Sequence, residues 1–339
     1  MRRILAVLFL FVFCPFAQAV AIDWVTVGNP GNAGEQSRLA QDDLTYYGAV
    51  DYEYKIGKYE ITAGQYCEFL NAVATDALSD LHGVYNSNMW ANDFGCKIQQ
   101  IYNYPNYSYS VAPDYANRPV NFVSWYSCLR FCNWLHNGQP TGVQDATTTE
   151  DGAYNMSLGD SVVRKPGARV WLPSENEWYK AAYHKNDGVT GNYFDYPTSN
   201  DTVPGRDGLE TTNPGNNANH TYNSNFLIGP PYYRTVIGEF ELSDSPYGTF
   251  DQGGNINEWN ETLIESSSRG YRGGAFNSYS GFLKSDVQSY NTPNTQNHYI
   301  GFRVASVPVA CPSADLTNDC FVNFEDLAKL ASEWLTGIQ

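Results

Sequence analysis

Trp171-Leu172-Pro173-Ser174-Glu175-Asn176-Glu177-Trp178 is the stretch on which the fold turns. Ser174 and Glu177, three residues apart, form a capping box, in which each side chain satisfies a backbone donor that the first turn of a helix leaves open. A helix therefore opens here, with Trp178 on its apolar side. Upstream, Thr62 and Gln65 repeat the device, and Tyr66, Phe69, Leu70 and Val73 make the buried stripe of an earlier helix. Between the two, Ser124 precedes a third helix whose face carries Trp125, Cys128, Cys132 and Leu135. Downstream lie three further landmarks: Gly254-Asn255-Ile256-Asn257-Glu258-Trp259, Arg272-Gly273-Gly274-Ala275-Phe276 and Gly301-Phe302-Arg303-Val304-Ala305.

Outside these helices the chain reads as short strands and loops. Residues 136–169 and 184–235 are rich in Gly, Asn, Pro, Thr and Asp, and long irregular stretches of that kind need metals or function to order them. The class is α+β, with few helices, short strands and many loops. The 339 residues carry 36 acidic and 20 basic side chains, a formal net charge of −16. That balance argues against a basic nucleic-acid face and in favour of hard cations as partners. A 15% aromatic content excludes a disordered acidic tail, because it supplies enough apolar surface to offset chain entropy.

Met1 to Ala19 reads as a secretory signal: Arg2 and Arg3, then the apolar run Ile4 to Phe13, then Ala17-Gln18-Ala19 as a cleavage site. The expected product is extracytoplasmic, secreted or held at the cell surface, with no mature membrane span. Six cysteines follow the signal, an even count that predicts disulfides. Cys311 and Cys320 are expected to pair. Cys67, Cys96, Cys128 and Cys132 allow three connectivities, which sequence does not choose among.

After a Pro-containing linker at 307–312, Asp315, Thr317, Asp319, Asn323 and Asp326 place oxygen ligands at positions 1, 3, 5, 9 and 12 of a loop, with the Phe321 carbonyl at 7. This is EF-hand-type calcium spacing. Leu327, Leu330, Ala331 and Trp334 then recur at helical spacing. The segment 308–339 resembles one repeat of a type I dockerin, which implies a cohesin-like partner. Cys320 stands where a glycine usually makes the turn, and a second repeat is missing.

The landmarks of the main body, taken in order with Tyr54-Lys55-Ile56-Gly57-Lys58-Tyr59-Glu60-Ile61-Thr62 and Asn117-Arg118-Pro119-Val120-Asn121-Phe122-Val123-Ser124-Trp125, resemble the formylglycine-generating enzyme (sulfatase-modifying factor) family. The resemblance runs from about residue 50 to 306, within a domain set at 20–307. It implies a variant of the C-type lectin fold. It also implies calcium held by the side chains of Asp251 and Glu258 and the carbonyls of Gly254 and Ile256. The residues themselves suit that: two carboxylates frame glycines that let carbonyls turn inward. A second family calcium site would begin near Asn219 and His220, where no downstream carboxylate is evident.

The family's oxidases use two cysteines, shortly after the Gly-Gly-Ser element, to hold copper and exchange with a substrate thiol. In this chain Gly273-Gly274-Ala275 matches the element, and the cysteine positions fall on Ser278 and Leu283. A hydroxyl is a poor ligand for a soft metal and leucine is none, so copper-dependent formylglycine formation is not expected. A related branch uses a histidine-ligated iron, but His82, His136, His184, His220 and His298 are scattered without ligand spacing. Trp125, Trp134, Trp178 and Trp259 are expected in the core, and Arg272 and Arg303 are expected to tie loops through bidentate hydrogen bonds. The tyrosines of Tyr102–Tyr109 suit packing between loops, or contact with a carbohydrate or protein. The reading is a calcium-stabilised binding or accessory protein. Its rival is a divergent formylglycine-generating oxidoreductase, or another enzyme using the same cleft.

Overall fold

The computed structural model describes residues 19–36, 46–76, 80–207 and 215–308, with 327 and 329–331 in a C-terminal helix. The signal up to residue 18, Cys311, Cys320, and the loop from Asp315 to Asp326 lie outside the described residues.

Strands β1 (Trp24–Val27), β2 (Glu35–Gln36), β3 (Tyr46–Tyr47) and β4 (Tyr54–Gly57) precede helices α1 (Ala63–Val73) and α2 (Asn88–Ala91). The hairpin β5 (Ile98–Asn103) and β6 (Asn106–Val111) leads to α3 (Trp125–His136), β7 (Val170–Trp171) and α4 (Glu175–Tyr183). The last stretch holds β8 (Asn257–Ile264), β9 (Ser268–Arg272), β10 (Ser289–Asn291), β11 (Ile300–Gly301) and β12 (Ala305–Ser306). One sheet has the order β1-β4-β12-β7 and the other β10-β9-β8-β11, with β11 parallel to β8. The first and last strands, β1 and β12, thus flank β4 and draw the two ends of the domain together.

The expected caps are in place. Thr62 accepts from the Gln65 amide, Ser174 from the Glu177 amide, and both boxes close in return. Ser124 caps α3 through the Ser127 amide. The core forms where α1 meets α3: Tyr66 stacks on Phe131 with centroids 5.9 Å apart, and Phe69 lies 5.4 Å from Trp134. Trp125, Trp134, Trp178 and Trp259 are buried, as expected. The one-turn α2 was not foreseen, because four residues carry no periodicity to read.

One expectation is corrected. Cys67, Cys96, Cys128 and Cys132 are free thiols, not disulfides. Each fills an apolar slot in the core as a small hydrophobe, and burial pushes the thiol of each upward, Cys67 to about 12.

Candidate functional site

Two buried arginines organise the region between α4 and the second sheet. Arg303, just before β12, grips Glu258 with both arms of its guanidinium: Nε to Oε2 at 2.6 Å and Nη2 to Oε1 at 2.7 Å. The Trp178 indole donates to the same Oε2 at 2.7 Å. Arg303 also donates to the carbonyls of Gly57 and Phe250, so one side chain ties β4, β8 and the loop before β8. Arg272, at the end of β9, pairs with Glu175 of α4 and donates to the carbonyls of Ser285 and Val287. Asn260 completes that pair by donating to the second Glu175 oxygen at 2.6 Å. Both arginines tie loops, Arg303 with the expected bidentate grip and Arg272 through Nε and Nη1. Arg272, next to Gly273, also holds the far end of the segment 273–287 through the carbonyls of Ser285 and Val287.

That segment carries Ser278 and Leu283, the positions that the resemblance sets against the oxidases' cysteines. Ser278 turns its hydroxyl back on its own loop, where it accepts from the Ala275 amide at 3.0 Å, and its carbonyl accepts from Thr221 at 2.8 Å. Leu283 is 0% exposed and packs with Tyr196 and Ala218. It also fills the space over Gly274, where an added Cβ would come within 2.8 Å of the leucine methyl. The two positions thus hold a satisfied hydroxyl and a core aliphatic. The four described cysteines belong to the main core cluster, which does not include Leu283.

The loop expected to hold calcium lies against Asn219. Gly254, at φ 85°, passes so close that a Cβ would meet the Asn219 carbonyl at 2.4 Å, which is why glycine stands there. Asn255 is the hub: its Oδ1 accepts from Asn219 Nδ2 at 3.3 Å and from the Thr235 amide at 3.0 Å, and its Nδ2 reaches Glu60 Oε2 at 3.5 Å. Around it, Glu60 Oε1, Asn219 Oδ1 and Thr235 Oγ1 are buried and take part in no hydrogen bond among the described residues. Such atoms normally have a partner. Asp251 Oδ2 accepts from the Gly238 amide at 2.6 Å.

The charges are uneven. Burial pushes the Glu60 carboxyl well above the usual carboxylate range, and Asp251 and Glu258 push it further. Burial also raises Asp251 to about 6. Glu258 has its cation in Arg303, and the other buried guanidinium nearby, Arg234, donates to the carbonyls of Phe94 and Gly95 instead of to a carboxylate. Three carboxylates thus face two guanidiniums, of which only one forms an ion pair with them.

Calcium would meet an unevenly committed set of oxygens here. Both Glu258 oxygens already accept charged donors. The oxygens with capacity left are those of Glu60, Asn219 and Thr235, which the sequence pattern did not group. Among the described residues, no set of three or more His, Cys, Asp and Glu side chains has metal-holding geometry. A hard cation here would draw on mixed amide, hydroxyl, carbonyl and carboxylate oxygens, the donor set that calcium accepts.

A loop-rich α+β scaffold, two four-stranded and two two-stranded sheets, and paired buried Arg–Glu clamps define the class. The model of the sulfatase-modifying factor enzyme 1-like domain matches residues 37–307, and the chain belongs to that family. Among solved structures it is similar to CarF, at 18% identity, 85% of this chain, 98% of the other and a TM-score of 0.50. It is also similar to Treponema denticola variable protein 1, at 19% identity, 86% and 97% coverage and a TM-score of 0.48. PvdO from Pseudomonas aeruginosa follows at 17% identity, 84% and 92% coverage and a TM-score of 0.46. At 18% identity the likeness to CarF speaks for the fold alone. Comparison with curated proteins finds no match.

Proposed function

We propose that this chain is a secreted, calcium-stabilised member of the family that binds a partner instead of oxidising a cysteine. The observation that carries the reading is Leu283. The position that the resemblance sets at the oxidases' second cysteine holds a fully buried aliphatic side chain, and the four described thiols belong to a different core cluster. A site without soft donors has nothing to hold Cu(I) or to exchange with a substrate thiol. Scaffold and chemistry are separable, so loss of the redox pair leaves the fold free to act as a binding module. The signal-like Met1–Ala19 would deliver it outside the cytoplasm. The dockerin-like loop at Asp315–Asp326 would attach it to a cohesin-like partner.

The test is direct. Purified protein, with and without Cu(I) and oxygen, is mixed with a sulfatase-motif cysteine peptide and the peptide is followed by mass spectrometry. Unchanged peptide is the expected result. Formation of an aldehyde would establish the rival reading, a divergent formylglycine-generating oxidoreductase.

A further inference from the structure

Away from the loop 272–283, a cleft of about 460 Å³ opens between the segment 82–87, the start of α3 and the loop 294–296. Its size falls in the range of small-ligand sites, but its walls are polar where such sites are usually apolar. Arg130 lies at its base and is almost fully buried. Its charge is closed by Glu150, with Nε to Oε1 at 2.7 Å and Nη2 to Oε2 at 2.9 Å. The Thr149 hydroxyl and His82 Nε2 also meet Glu150, at 2.9 and 3.3 Å. Burial and Arg130 lower the pKa of the His82 imidazole, against the pull of Glu150. The buried guanidinium of the cleft is thus already paired within its wall.

What it offers is oriented amides and ring surface. Asn86 donates to Gln296 Oε1 and accepts from the Asn88 amide, while Gln296 donates to the Gly83 carbonyl. Both carboxamides are thus fixed before any ligand arrives. Tyr85 and Tyr126 line the walls. Their hydroxyls donate to the Ile98 carbonyl and to Asp160, which fixes both rings in place. Fixed amides recognise hydroxyl groups, ring carbon packs on C–H faces, and a charge-closed wall disfavours an ionised ligand.

We propose that this cleft binds a short, neutral oligosaccharide, with Asn86 and Gln296 reading its hydroxyls and Tyr126 packing on a sugar face. This rests on the binding reading above but is tested separately from it. The full-length chain is applied to an array of neutral, uronate-bearing and sulfated glycans, and the best neutral ligand is titrated by calorimetry. Binding to neutral glycans is expected. Gln296→Ala and Tyr126→Ala should each weaken it about tenfold, and Asn294→Trp, on an exposed part of the rim, should block it. Tyr104→Ala, at the 86% exposed hairpin tip, should leave it unchanged. Thermal melts confirm that each variant is folded. Binding to anionic glycans alone, to none, or equally well in Gln296→Ala and Asn294→Trp overturns the assignment. Those outcomes leave the peptide-oxidation result untouched, so failure of the cleft and failure of the binding reading are told apart.

Discussion

Two adjoining buried clusters meet the same physical problem differently. Around Glu258 and Glu175 each carboxylate has its own guanidinium, and nearly every polar atom is hydrogen-bonded. Around Asn255, Glu60 and Asp251 are carboxylates without a cation of their own, and three oxygens lack a partner. The first cluster has its charges paired within the protein, with Arg272 Nη2 its one buried atom lacking a partner among the described residues. The second has the charge and the open oxygens that a bound cation would complete, and the two should therefore respond oppositely to mutation.

The largest effect is expected in the paired cluster. Glu258→Ala leaves Arg303 buried without its anion and should cost about 3–5 kcal/mol, read by denaturant unfolding. A loss under 1 kcal/mol would break the comparison by showing that the clamp is not structural. The next effect belongs to the open cluster. Chelation should remove about 2.7 kcal/mol if calcium had been present at a hundred times its dissociation constant. The melting temperature should then fall by roughly 5 °C. An unchanged melting point means that no structural cation sits there.

Smaller and opposite in sign is Glu60→Gln. In the presence of chelator it removes a buried carboxylate that nothing pairs, and should raise stability by roughly 1 kcal/mol. It should also abolish the calcium dependence of the main domain's melting temperature. Destabilisation in chelator would mean that the cluster already has its partner.

An intermediate case sharpens the contrast further. Arg164 serves two carboxylates, Glu177 at 2.9 Å and Glu261 at 3.0 Å. Burial pushes Glu261 up to about 7, against the pull of Arg164. A carboxyl raised in the folded state binds its proton more tightly there than in the unfolded chain. Its contribution is therefore favourable at low pH and lost as pH rises from about 4.5 to about 7. The stability of the wild type relative to Glu261→Gln should fall across that window. A flat or rising difference in paired thermal melts would show that one guanidinium satisfies both carboxylates.

Much of this was legible in the residues. Caps at Thr62, Ser124 and Ser174 are local, so their helices start where spacing places them. The tying roles of Arg272 and Arg303 were also readable, because a buried guanidinium must find acceptors. Which acceptor Arg303 finds was not: Glu258 carries the spacing of a calcium ligand, and its partner lies 45 residues away in sequence. The free thiols escaped for a related reason, since an even count says nothing about where the side chains point. The cleft draws on three segments, and neither its closed charge nor its pinned amides exist until the fold brings Arg130 to Glu150 and Asn86 to Gln296.

The comparison comes down to whether a cation completes the cluster around Asn255. Calorimetric titration of the metal-stripped, full-length protein with calcium tests this most directly, run beside Glu60→Gln and Asp315→Ala. The expected result is a binding heat of which one component is lost in Glu60→Gln and kept in Asp315→Ala. No heat in the wild type, or the same heat in Glu60→Gln, would contradict it.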